Sequence, residues 1–134
     1  MGRRSRLPDL AALILLGWVV LIVLVEVPLL LGDDPLANPA WSVTGAILAG
    51  AHVVAAVGVV RRMAWGRRLG LWIGGLAMLG TAFVLVTWTI SALAAIGPSA
   101  EALSAILVPA AMFASYTVVV GILWRARPEF SAPT

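Results

Sequence analysis

Residues 69–95, LGLWIGGLAMLGTAFVLVTWTISALAA, run for 27 positions without one charged side chain. A hydrocarbon core about 30 Å thick is crossed by about 20 helical residues rising 1.5 Å each, so this stretch is long enough to span a bilayer. Inside lipid every backbone N–H and C=O needs an internal partner, and a helix supplies one for each. Residues 10–31, 41–60 and 102–124 meet the same condition. The chain therefore reads as an all-α membrane protein, residues 1–134 forming one transmembrane domain of four helices. No connection exceeds about ten residues, so consecutive spans are expected to be neighbours in an antiparallel up-down bundle without an extramembrane domain.

Composition agrees. Hydrophobic residues make up 62% of the 134 and charged ones 11%, with a mean hydropathy of +1.06. A soluble domain of this length cannot bury so much apolar surface. The net charge of +3 and isoelectric point near 11.1 do not point to nucleic acid, because the cations flank apolar spans instead of lining a polar face. Cysteine is absent, which excludes disulfides, thiolate metal sites and thiol catalysis. Lysine is absent too, while Ala, Val, Gly and Leu abound, as expected of a GC-rich bacterial source. The N-terminal Met1-Gly-Arg-Arg-Ser-Arg6 resembles the basic region of a signal peptide. The apolar run behind it is longer than the usual ~7 to 15 residues, so the first span is expected to be retained.

Local punctuation supports the four spans. Pro8 and Asp9 suit a first helical turn. Gly32-Asp33-Asp34-Pro35 separates spans one and two, and Gly97-Pro98-Ser99 separates three and four. Ser99 is placed to cap the fourth helix, with Glu101 in its first turn.

Arginines set the orientation. Arg3, Arg4 and Arg6 precede span one, Arg61, Arg62, Arg67 and Arg68 join spans two and three, and Arg125 and Arg127 follow span four. All nine basic residues thus fall on one side, opposite Asp33, Asp34 and Glu101. The positive-inside rule makes that side cytoplasmic, giving N-in/C-in insertion in a bacterial cytoplasmic (inner) membrane. Trp41 marks the outer interface and Trp65, Trp72 and Trp124 the inner one, while Trp18 and Trp88 are expected to pack between helices.

Small residues are the packing signal in lipid. Gly45, Ala49, His52 and Ala56 share a stripe of span two. Gly70, Gly74, Ala77, Thr81, Trp88, Ala92 and Ala95 share one on span three. Span four has two, Ser104-Ala111-Ser115 and Ala110-Ala114-Thr117-Gly121, and the second lacks an evident partner within the chain. Span one, mostly large aliphatics, is expected to be the most lipid-exposed.

Few residues carry chemistry. Glu26, an acid inside span one and near its outer end, is a candidate ion or proton site, with Thr87 and Ser91 at similar depth. His52, near the middle of span two, is a candidate buried polar or ligand residue, as is Tyr116. An interhelical hydrogen bond is the plainer role for His52, against haem or metal ligation. Arg61, Arg62, Arg67 and Arg68 are candidates for contact with anionic lipid headgroups. No catalytic constellation, metal site or cofactor is expected. The reading that follows is a small accessory or structural subunit without enzymatic activity, its partners being the bilayer, anionic headgroups and other membrane subunits or further copies of itself. The alternatives are a small cation- or proton-coupled transporter or channel using Glu26, or a haem- or quinone-associated redox subunit through His52.

Overall fold

A computed structural model of the chain describes residues 5–31, 39–97 and 99–130, with side-chain surroundings described outside 25–31, 39–42 and 105. All regular structure among these residues is helical: α1 (Leu7–Leu31), α2 (Pro39–Val60), α3 (Ala64–Ile96), α4 (Ala100–Arg125) and a short 3-10 helix, η1 (Arg127–Phe130). Four helices are long and apolar enough to cross a membrane.

The elements run a little past the apolar stretches that announce them. α3 starts at Ala64 and so takes Arg67 and Arg68 into its first turns. At 33 residues it is about 50 Å long, well beyond a hydrocarbon core of about 30 Å. Hydropathy marks the lipid-facing part of a helix, and backbone hydrogen bonding carries the helix on into the polar zone. The Ser99 cap forms as its residue type predicts, its Oγ accepting the Ala102 N–H at 3.2 Å. η1 has no counterpart in the sequence reading; it folds Phe130 back to 6% exposure against the core.

α2 passes to α3 through a tight turn. Val59 accepts the Arg62 N–H at 3.0 Å and Gly58 accepts the Met63 N–H at 2.9 Å. This pair of bonds closes a Schellman motif, whose left-handed position is usually glycine. Here it is Arg62, at φ 56°. The turn is tight enough to bring glycine backbone onto glycine backbone: a methyl built on Gly58 would lie 2.6 Å from the Gly66 Cα.

The core gathers at the arginine end. Ala11, Ala12 and Leu15 from α1 meet Ala55, Ala56 and Val59 from α2 and Tyr116, Val119 and Leu123 from α4, all at most 4% exposed. On each helix these positions recur at three- and four-residue intervals, one stripe per helix. α3 contributes absence of bulk. A methyl built on Gly70 would sit 2.7 Å from Leu123 Cδ1, 3.7 Å from Val59 Cγ2 and 3.9 Å from Leu15 Cδ1, so all four helices approach one another there.

Three packing expectations change. α1 is not simply peripheral, because its Ala11 and Ala12 let it press closely on its neighbours even though Leu10, Leu13 and Leu24 remain exposed. The small stripe of α3 is buried at Gly70, Gly74 and Thr81 and not beyond. Trp88, further along it, is 54% exposed and does not pack between helices.

Candidate functional site

The buried polar centre is built from three helices. On α2 the stripe His52, Ala55, Ala56 and Val59 faces inward, so a bulky polar ring enters the bundle among small residues. His52 is 3% exposed, eight residues before the end of α2 and hence about 12 Å inside it. Its Nδ1 lies 2.7 Å from the Leu48 carbonyl oxygen, one turn back on its own helix. A carbonyl only accepts, so Nδ1 carries the hydrogen, and in a neutral ring Nε2 presents its lone pair. The Tyr116 hydroxyl of α4 lies 2.9 Å from Nε2 and donates to it.

Tyr116 is held in turn from α1. Its ring stacks on Trp18 with centroids 5.3 Å apart and planes 13° from parallel. The Trp18 Nε1–H donates to Ser115 Oγ at 3.1 Å, and the Ser115 hydroxyl donates to the Met112 carbonyl at 2.8 Å. Every polar atom along Trp18, Ser115, Tyr116 and His52 thereby has a partner, as burial in a low-dielectric interior requires. A metal or haem iron seeking His52 must displace either Tyr116 or the Leu48 carbonyl, because both ring nitrogens are engaged.

Of the other intramembrane candidates, Thr87 and Ser91 have described side chains. Glu26 falls within α1, but its side chain lies outside the described residues. Thr87 turns its hydroxyl onto its own helix, donating to Phe83 and Val84 carbonyls at 2.9 and 3.1 Å. Ser91 is exposed.

The four arginines of the α2–α3 region divide into two pairs. Arg62 turns onto the protein: its Nη2 donates to the Ser5 carbonyl at 3.1 Å and meets Asp9 Oδ1 at 3.0 Å, while its Nε is 3.9 Å from Glu129 Oε2. One guanidinium thus joins the start of α1, the α2–α3 turn and η1. Arg67 donates through Nε to the Leu123 carbonyl at 2.8 Å, joining the start of α3 to the last turn of α4. Arg61 and Arg68 are exposed. Sequence reading assigned all four to headgroups because spacing does not show which guanidinium finds an internal carbonyl. Asp9 and Glu129 were the available signal, two acids on the side otherwise filled by arginines.

A cleft of about 400 Å³ opens beside this latch, lined by Ala64, Arg67, Arg68, Leu71, Trp124, Arg127 and Phe130. Trp18, Ser115, Asp9, Glu129 and Arg127 are the participants that sequence reasoning did not single out as site residues. No protein-family model, curated protein or solved structure matches this chain.

Proposed function

We propose that this is a four-span protein of a bacterial cytoplasmic membrane, N-in/C-in, its helices running up and down as an antiparallel bundle. It works without catalysis, as a small accessory or structural subunit that packs against partner helices of a membrane complex or against further copies of itself. One observation carries this reading. Ala114, Thr117 and Gly121 of α4 are all exposed, and a methyl built on Gly121 would meet nothing within 4 Å. In lipid, a face of small residues permits the close backbone approach that drives helix association, whereas acyl chains gain nothing particular from it. The Thr117 hydroxyl is already satisfied by the Phe113 carbonyl at 2.8 Å, so a partner helix meets a smooth surface with no polar group left to satisfy.

Two features support the remainder of the reading. The arginines lie beside the apolar spans as topology signals do. The buried His52–Tyr116 pair is saturated by hydrogen bonds, as suits a structural element. The test is native mass spectrometry on protein extracted with its surrounding lipid in polymer discs. The expected mass exceeds that of one 14.0 kDa chain, and Gly121→Leu reduces the assembly. A lone chain in native lipid, with or without the substitution, refutes the proposal.

A further inference from the structure

The path from Trp18 through Tyr116 to His52 has the parts of a proton-coupled redox site. A phenol that loses an electron becomes a strong acid, and in a low-dielectric interior its proton needs a base already in hydrogen-bond contact. Tyr116, 4% exposed, has such a base, its hydroxyl lying 2.9 Å from His52 Nε2. The Nε2 lone pair faces it because Nδ1 keeps its hydrogen for the Leu48 carbonyl at 2.7 Å. After transfer the imidazolium has an acceptor for each N–H, the phenoxyl oxygen and that carbonyl, so the proton moves without any group turning.

Trp18 supplies the way out for the electron. It is half-buried, and its ring stacks on Tyr116 with centroids 5.3 Å apart. Its own N–H donates to Ser115 Oγ, a hydroxyl too weakly basic to take a proton. An oxidised Trp18 therefore keeps its proton and draws an electron from Tyr116, the ring of the two that is bonded to a base.

We propose that Tyr116 is a redox-active tyrosine that reduces lipid peroxyl radicals. A peroxyl radical at the bundle surface takes one electron from Trp18, Trp18 takes one from Tyr116, and the phenolic proton crosses to His52 Nε2. The peroxyl anion takes a proton from the aqueous phase and leaves as a lipid hydroperoxide; a neutral phenoxyl radical and an imidazolium remain. The oxidant is lipid-borne because burial keeps water-soluble ones from Tyr116, whereas the exposed part of Trp18 belongs to a span that the bilayer surrounds. The inference rests on the membrane placement proposed above and not on association with other subunits.

The experiment uses the full chain in liposomes of polyunsaturated phosphatidylcholine with a lipid-soluble azo initiator, a thermal source of peroxyl radicals. Protein radicals are read by electron paramagnetic resonance, and folding by circular dichroism of the same samples. Because the chain has one tyrosine, ring-deuterated tyrosine assigns the signal without a substitution. The expected result is a tyrosyl signal whose hyperfine pattern collapses on deuteration. Its yield falls roughly tenfold in His52→Gln, which keeps a hydrogen-bond acceptor and loses the base. It falls as far in Trp18→Phe, which keeps a ring against Tyr116. Trp72→Phe and Trp88→Phe, at positions 70% and 54% exposed, leave it unchanged. A tryptophan radical, or no protein radical, in the unsubstituted chain overturns the proposal without recourse to any variant. An undiminished yield in His52→Gln overturns it too, as do equal losses in all three tryptophan variants. Equal oxidation by hexachloroiridate, a water-soluble one-electron oxidant, makes the route aqueous and overturns the assignment to lipid peroxyl radicals. Oligomer mass is measured separately, so a monomer that forms the radical sinks the association proposal and leaves this one standing.

Discussion

Arg62 carries two opposed effects in one residue. Its backbone sits in the left-handed region that costs a non-glycine residue about 1 kcal/mol or more, and its side chain latches three segments together. Arg62→Ala loses the latch and keeps the strain, whereas Arg62→Gly loses the latch and relieves the strain. Both are expected to destabilise the fold relative to a latch-retaining chain, with the glycine variant the more stable of the two by about 1 kcal/mol in denaturant titration in micelles. Equal stability would remove the strain from the account. Tyr116→Phe probes the other polar centre. It preserves the stack on Trp18 and withdraws the hydroxyl from His52, for an expected loss of about 1 kcal/mol, near the measured range for hydrogen bonds between membrane helices. An unchanged midpoint would show that water or another donor replaces it.

At the scale of the elements, glycines separate contacts within the chain from faces left open. A side chain at Gly66 meets Gly58 backbone, which cannot rotate away. At Gly70 the nearest atom is a leucine methyl that can rotate, and at Gly121 there is nothing. Gly66→Ala is accordingly expected to destabilise by several times the effect of Gly70→Ala, with Gly121→Ala neutral for the fold of the isolated chain, all read from the same titration. The reverse order would mean that the α2–α3 crossing is not close. The helices themselves were legible, because length and predominantly apolar composition specify a span without reference to neighbours. The Ser99 cap was legible for the same reason, being a local bond between residues three apart. Which face of α3 is buried was legible only where small residues met a neighbour, at Gly70 and Gly74. Periodicity continues through Trp88, yet that side chain is exposed, and one helix's sequence does not report how closely its neighbours approach it.

On the scale of the whole molecule, burial concentrates at the arginine end among the described residues, and α3 and α4 expose Phe83, Ile90, Leu103 and Val108 beyond it. Large apolar side chains on an outer surface are what lipid demands, so those residues call for no partner; the small-residue face of α4 is the one proposed to take one. The His52–Tyr116–Trp18 set lay hidden in the sequence because its members are 34 to 98 residues apart on three helices and stacking leaves no spacing signature. Arg62 was hidden for a related reason, since an arginine in a row of arginines reads as a topology signal until its carbonyl and carboxylate partners are found. Both hidden features tie helix to helix.

The account stands first on four crossings with both termini on the arginine side, and the absence of native cysteine makes that directly measurable. Single cysteines at Arg61, Glu101 and Arg125, all exposed positions, are to be labelled with a membrane-impermeant maleimide in right-side-out and inverted vesicles. The predicted result is labelling of Glu101→Cys only from outside and of Arg61→Cys and Arg125→Cys only from the cytoplasmic face. Labelling of Arg61→Cys and Glu101→Cys from the same face would contradict it.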